Sequence, residues 1–277
     1  LFAPRTRWLS ATRRLGHERP LDKTVFDWKN NEWYEIAAGK GVLLLAALRS
    51  ELEAGEFEKL MEDFGRAHAG QKVRTSEFIE HVETATGRSW TAFFGKWMNG
   101  DPPVERDANV WSIFSFEEQQ DQTLIVYGTL ADRAAQKEAA ELLQRKIARR
   151  FGNFSPRIVA DTDVTPEELT GHHLLLIGRP ATNLLASSAV RHLPVEFGPA
   201  SFVVNGKRYA NPDSAVIAAG ENRHNRQYSA VVFAGLSAAS TWHCIEEVPN
   251  REGALPNVIL QPARMRTRLL YVPAAAK

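Results

Sequence analysis

Between Ala38 and Pro103, apolar residues recur at helical spacing in four stretches. The first holds Val42, Leu45, Leu48 and Leu52, and the second Phe57, Leu60, Met61 and Phe64. Phe78, Ile79, Val82 and Ala85 form the third, while Trp90, Phe93, Phe94, Trp97 and Met98 form the fourth and densest. Residues three and four apart share one side of a helix, so each stretch predicts an amphipathic helix whose apolar stripe needs a neighbour. Gly55, Gly70, Gly87 and Gly100 stand where each helix should stop. Such short joints favour antiparallel packing into a small bundle.

The pattern changes after this. Residues 101–110 carry adjacent prolines and charges and read as a linker. Val110 to Phe116 alternates in part and is rich in aromatics, which predicts a strand. Thr123–Tyr127, Arg157–Ala160 and His173–Ile177 are short apolar runs, and helical patterns separate them. One such helix runs from Asp132 to Phe151. Another starts at Thr165-Pro166-Glu167-Glu168, with threonine at the cap, proline at the first position and glutamate closing a capping box. A third helix is expected from about Ala181 to His192. This β-α-β-α-β order predicts parallel strands joined by right-handed crossovers.

The last part is richer in strands. Ser201–Val204, Asn205-Gly206 and Lys207–Tyr209 read as a hairpin, because Asn-Gly suits a type I′ turn. Asp213–Ala219 and Tyr228–Ala234 are further strands, and Ser237–Val248 is the last helix. Asn257–Leu260 and Leu269–Val272 either close the sheet or trail as a tail. The expected architecture is therefore α + α/β. Residues 1–103 form a helical bundle, and 104–277 a flavodoxin-like three-layer α/β domain with a mixed sheet.

Composition narrows the function classes. Hydrophobic residues at 44% and charged residues at 24% are ordinary for a globular chain. A net charge of +1 gives no reason to expect nucleic acid as a partner. The single Cys244 excludes an internal disulfide and a cysteine zinc cluster. The longest aliphatic run, Val42 to Leu48, is too short to span a bilayer. A start at Leu1 rather than methionine is expected of a processed chain or of a piece of a longer protein. The early arginines (Arg5, Arg7, Arg13, Arg14 and Arg19) read as solvated charge beside the anchors Trp8 and Leu9, in preference to an anionic-surface contact. Trp28, Trp33 and Tyr34 are expected to pack on the bundle, with the lining of a cleft as the other reading.

Several pieces of the bundle resemble one family. Lys40-Gly41 before an aliphatic run and Leu48-Arg49 is similar to the helix that follows the active site in the M1, or gluzincin, aminopeptidases. Thr75-Ser76-Glu77-Phe78, then Glu83 with Gly87-Arg88, then Phe93-Phe94-Gly95-Lys96-Trp97 resemble the same region in the same order. The likeness covers about residues 20–103 and implies the closing helices of a thermolysin-like catalytic domain. It also implies an extracellular or periplasmic setting. Members of that family bind zinc through a His-Glu-x-x-His helix and a further glutamate, the first glutamate activating the zinc-bound water. His17-Glu18 is followed by Arg19, Pro20 and Leu21, so that motif is not present here. The oxyanion-stabilising tyrosine of the family, two residues before Lys-Gly, is replaced by Ala38. The resemblance thus implies a non-catalytic portion of an M1-like metallopeptidase that completes the substrate cleft and docks other domains. Zinc is expected only in a longer parent, and the partners are the rest of that polypeptide and a peptide substrate. Residues 110–277 resemble, more loosely, accessory α/β domains of bacterial extracellular hydrolases.

The α/β part offers its own candidates. Ligands of open parallel sheets bind at the carboxyl ends of the strands. Those ends carry Thr129, Asp161, Arg179, Asn183 and Asn222, which form the candidate ligand site. A helix amino terminus beside Gly128 or Gly178 would suit an anion, yet Gly-x-Gly-x-x-Gly, Walker and Gly-x-Ser-x-Gly signatures are lacking. Glycine after a strand is also needed for the turn itself. Asp161, Asp163, Glu167 and Glu168 read as caps and surface charge in preference to a metal site. His172 and His173 open a strand and should point to opposite faces, which disfavours joint ligation. His224 has no visible partner, and Cys244 reads as an inert packed thiol. An autonomous ligand- or protein-binding module is the alternative function, and an enzyme with a site on the strand ends is a third.

Overall fold

Thr75 to Met98 shows how the helical part is organised. Helix α4 (Thr75–Thr86) stops at Gly87, whose φ of 65° is the left-handed value that glycine adopts without strain. Glu83 then reaches the start of α5 (Thr91–Met98), where its carboxylate accepts hydrogen bonds from Trp90 N at 2.7 Å, Ser89 Oγ at 3.0 Å and Thr91 Oγ1 at 3.3 Å. The Trp90 N–H bond, followed by the Ser89 bond, holds this carboxyl below its ordinary value of 4.5. The indole N–H of Trp90 donates to Thr86 Oγ1 at 2.8 Å. One glutamate thus fixes the corner and turns Phe94 and Trp97 into the interior.

The computed structural model describes residues 2–15, 19–26, 28–29, 32–53, 55–99, 111–152, 154–248, 256–263 and 265–272. The linker 101–110, Gly100, Val110 and the His17-Glu18 pair lie outside the described residues. The chain divides into two compact units, Leu1–Arg106 and Asp107–Lys277.

In the first unit α1 (Phe2–Leu15) packs along α2 (Glu32–Glu51), with α3 (Glu56–Ala67) before the α4–α5 corner. The arginine-rich start is therefore helical, which the sequence reading did not foresee. Its anchors Trp8 and Leu9 are buried as expected. The axes cross closely at Gly39, where a Cβ would lie 2.6 Å from the Pro4 carbonyl oxygen and 2.7 Å from Trp8 Cβ. Phe64 of α3 meets Phe78 of α4 edge-on at 5.1 Å, and Phe78 meets Phe94 at 6.2 Å. Two expectations fail here. Val42 is on the exposed side of α2, and Trp28 and Tyr34 do not pack on the bundle, being 79% and 50% exposed. Trp33 is half-buried between Phe26 and Tyr34, at ring distances of 5.0 and 5.7 Å.

The second unit is α/β. Its elements are β1 (Thr123–Tyr127), α6 (Arg133–Phe151), β2 (Arg157–Ala160), α7 (Pro166–Gly171), β3 (His173–Ile177) and α8 (Leu184–Ala189). They continue as β4 (Glu196–Gly198), β5 (Ser201–Val204), β6 (Lys207–Tyr209), β7 (Ala215–Glu221), β8 (Ser229–Gly235), α9 (Ala238–Glu246), β9 (Val258–Gln261) and β10 (Arg268–Leu270). Among the described residues the main sheet has the order β10-β9-β7-β8-β3-β1-β2. Strands β2, β1, β3 and β8 are parallel, while the β8–β7, β7–β9 and β9–β10 pairs are antiparallel, giving the mixed sheet expected. Strands β4, β5 and β6 form a separate antiparallel sheet, in which Asn205 and Gly206 take positive φ as the hairpin reading requires. The segments after Asn257 close the sheet and do not trail as a tail.

Alternation along the strands sorts the core into two faces. Leu124, Val126, Leu174, Leu176, Val216 and Val232 join α8 residues and Phe202, Val204 and Tyr209 of the small sheet. Helices α6 and α9, in contact with each other, cover the opposite face. Full burial of each such aliphatic side chain is worth roughly 1.5–3 kcal/mol. The segment from Trp111 to Phe116 is not a strand. Ser115 Oγ accepts from Ser112 N at 3.0 Å, and Ser112 Oγ accepts from Phe114 N at 3.2 Å, so serine side chains take the backbone donors and curl the chain into a turn. The helix expected from Ala181 starts only at Leu184, after an asparagine cap.

Gly220 on β7 tests this packing. A Cβ there would fall on the His192 carbonyl oxygen. Gly220→Ala is expected to lower stability by about 1–3 kcal/mol, the usual cost of overpacking. Urea unfolding followed by far-UV circular dichroism measures it, and an unchanged midpoint would refute this close approach.

Candidate functional site

The chain runs from β1 outward to β2 and then crosses back past β1 to β3, so the carboxyl ends of β1 and β3 flank a topological switch point, the usual ligand position in open α/β sheets. Three loops meet there, and one side chain holds them. Asp161, which follows β2 and is only 5% exposed, accepts from Thr129 Oγ1 at 2.6 Å and Thr129 N at 3.2 Å, both after β1. It also accepts from Leu184 N at 2.7 Å, at the start of α8. A buried carboxylate needs such donors to offset its lost hydration.

Asn183 completes the arrangement from below. Its amide nitrogen donates to Val126 O at 3.2 Å and Ile177 O at 2.9 Å, and its oxygen accepts from Leu185 N and Ala186 N at 2.9 and 3.0 Å. The amide therefore uses both donors and both acceptor positions. The Thr182 carbonyl accepts from Leu130 N at 3.2 Å and presses on Gly128, where a Cβ would fall on that oxygen. Gly128 is thus required by a close approach, and Gly178, with φ 108°, by its backbone conformation. The amino terminus of α8, read as a place for an anion, receives the carboxylate of Asp161.

The five candidates do not form one site. Thr129, Asp161 and Asn183 converge at the switch point. Arg179 leaves it, donating from Nη1 to Pro199 O at 2.5 Å before β5. Asn222 is at the opposite end of the sheet, because β7 runs antiparallel to β8 and its carboxyl end adjoins the amino end of β3. There Asn222 Nδ2 donates to Leu169 O at 2.8 Å and His172 O at 3.0 Å, while Asn225 Nδ2 donates to Thr170 O at 2.8 Å. Two asparagines of the β7–β8 loop thus satisfy the last carbonyls of α7, a capping role. Strand direction was the missing signal, since a sequence gives the end of a strand more readily than its orientation.

Other polar residues have local partners. Glu168 closes the capping box with Thr165 and pairs with Arg157, and Asp163 accepts from Thr162 Oγ1 at 2.9 Å. Among the described residues no three histidine, cysteine, aspartate or glutamate side chains are grouped to hold a metal. His173 is fully buried, and its Nδ1 accepts from the Ser229 backbone N–H at 2.9 Å, which leaves the other nitrogen, Nε2, facing Gln119 Oε1 at 3.2 Å, to carry the proton. Cys244 is fully buried and donates to Thr241 O at 3.1 Å, and burial pushes its thiol far up, so it is protonated at neutral pH. Sequence reading passed over Gln136. Its Oε1 is buried without a hydrogen-bond partner among the described residues and lies 3.1 Å from where a Cβ of Gly178 would stand.

The chain matches no protein-family model and no curated protein. The chemistry at the switch point must therefore be read from the geometry alone. Thr129, Asp161 and Asn183 hold three loops together.

Asp161→Asn is expected to cost about 2–3 kcal/mol, since one buried N–H would face an amide instead of a carboxylate. Urea unfolding decides it, and a loss below about 0.5 kcal/mol, the scale of a neutral surface change, would refute the clamp. The second expectation concerns pH. Burial, then Arg157, lowers the His172 pKa from its ordinary 6.5. As pH falls below 6.5 the unfolded chain takes this proton first, so stability is complete above that value and drops as pH approaches the folded value. Burial, then Arg223, acts on His224 in the same direction. Thermal unfolding from pH 7.5 to 5 should show this loss reduced in His172→Gln, and identical profiles would refute it.

Proposed function

We propose that the chain is a non-catalytic region of an M1-like zinc metallopeptidase, with a helical unit that completes the substrate cleft and docks against the rest of the parent polypeptide. The observation that carries this reading is the aromatic flank before and at the start of α2. Val25, Phe26, Trp28 and Tyr34 are 71%, 66%, 79% and 50% exposed within a few residues of one another. A cluster of that kind suits a surface that another domain covers. The motif pieces support the same reading, since Lys40-Gly41 falls in α2, Glu83 in α4 and Phe93-Phe94 in α5, and Glu83 and Gly87 fix the α4–α5 corner. In this reading the surroundings are extracellular or periplasmic and the partner is the remainder of the polypeptide. No helix of the described residues is long and apolar enough to cross a membrane.

Zinc belongs, in this proposal, to the longer parent. The residues of this chain do not fit a zinc site of the family. Arg19, Pro20 and Leu21 follow His17-Glu18 where the motif needs a second histidine, and Ala38 stands in α2 at the position of the oxyanion tyrosine. Tyr34 is one turn earlier on the same side of that helix. No hydrolytic step is derived from these residues.

The test compares the chain alone with the complete parent. The chain alone is expected to release no product from a panel of aminoacyl substrates, with or without added zinc. Phe26→Ser with Trp28→Ser should change its stability by less than about 0.5 kcal/mol, as for exposed positions. In the parent the same pair should lower the melting temperature and reduce zinc-dependent turnover. Zinc-dependent hydrolysis by the chain alone, or a pair equally silent in the parent, would overturn the reading.

A further inference from the structure

Strand β2 is an outer strand of the main sheet, so one side of it has no neighbouring strand among the described residues. The ladder shows which groups face that side. Asp161 N donates to Tyr127 O at 3.0 Å, and β2 pairs in unbroken parallel register with β1. Backbone groups alternate along a strand, so Arg157, Val159 and Asp161 turn theirs toward β1, while Pro156, Ile158 and Ala160 turn theirs outward. The outward set is partly used. Pro156 has no N–H, and its carbonyl accepts from Gln144 Nε2 at 2.7 Å. The Ala160 carbonyl accepts from Asp163 N at 3.0 Å. The Ile158 N–H, the Ile158 carbonyl and the Ala160 N–H are left without partners among the described residues. Such an edge is a template for a further strand. Ile158 is half-buried, and Ala160, though largely buried, lines with it an open groove of about 530 Å³ whose other wall is Lys137, Glu141 and Arg145 of α6.

We propose that this edge pairs with a second copy of itself, antiparallel about a two-fold axis at Ile158. In that register Ile158 faces Ile158 of the other copy, and each N–H donates to the other's carbonyl. Two residues to either side, the Ala160 N–H meets the Pro156 carbonyl of the other copy. That oxygen has a second lone pair besides the one given to Gln144. The groups already used match as well. An ordinary residue opposite Ala160 would bring an N–H to a carbonyl that Asp163 occupies, and proline brings none. An edge whose free and occupied groups fit their own image defines an isologous interface. The groove wall agrees with this. Lys137, Glu141 and Arg145 alternate in sign at one-turn spacing along α6, whereas a wall of one sign would repel its copy. A four-residue edge is short, so the dimer is a reversible one of micromolar affinity and not an obligate pair. This inference rests on the α/β unit alone and does not depend on the peptidase reading.

Sedimentation equilibrium of the full chain at rising concentration tests it. A monomer–dimer equilibrium is expected, with Ile158→Pro weakening association about tenfold or more through loss of the central donors. The Ile158 N–H faces away from β1, so proline at this outer position leaves the β1–β2 ladder intact. Ile158→Lys and Ile158→Glu test the register without proline. Each alone should stay monomeric, because the two-fold sets like charges opposite each other, and an equimolar mixture of the two should regain the dimer. Circular dichroism spectra matching that of the unchanged chain establish that all three variants are folded. A chain that stays monomeric up to millimolar concentration, a dimer that these variants leave unweakened, or folded Lys and Glu variants that stay apart on mixing would overturn the proposal.

Discussion

The carboxylate of Asp161 is the constraint on which the α/β unit depends. It takes donors from the loops after β1 and β3 while its own backbone N–H donates to Tyr127 O at 3.0 Å. Three of the four parallel strands, β1, β2 and β3, are therefore held at one end by a single charged group as well as by the ladder. A carboxylate buried in this way is costly unless its donors are fixed, and fixing them orders the Thr129 backbone and the start of α8 together. Closeness at Gly128 follows from the same demand, because the loop that carries Leu184 to Asp161 must pass over the end of β1.

Much of this fold was legible from local chemistry. The capping box at Thr165, the Asn-Gly turn and the apolar stripes of α3, α4 and α5 act within a few residues of each other, and the structure keeps them. What could not be read was set by distant partners. Asn222 appears beside Thr129 and Asp161 only if all strands run alike. The antiparallel pairing of β7, decided by side-chain packing across the sheet, moves it to the other end. Trp111 to Phe116 has the composition of a strand, but two serines three apart capture its backbone donors first. In the first helix the arginines hide the stripe, although Trp8, Leu9 and Ala11 are buried against α2.

The helical unit uses a different economy of contacts. Its aromatic rings meet edge to face from Phe64 through Phe78 to Phe94, an arrangement that ring quadrupoles favour. Lys40 is fully buried with its ammonium 5.6 Å from the Trp8 ring, so a charged group sits where α1 and α2 cross. The close passage at Gly39 brings the two helices near enough for that ring to cover the lysine stem.

The α/β unit spends its polar groups inward at the switch point, and this bears on function. At the switch point Asn183 uses all its hydrogen-bonding capacity, and Asp161 is enclosed by donors from its own chain. A ligand there would have to replace bonds that hold three loops. On the helical unit the opposite holds, since Lys96 faces solvent beside an apolar wall and Trp28 is largely uncovered. Groups already satisfied inside the protein offer little to a partner, whereas exposed rings gain from one. The exposed rings of the helical unit therefore offer a partner more free surface than the satisfied strand ends, where fold analogy alone would have placed a site.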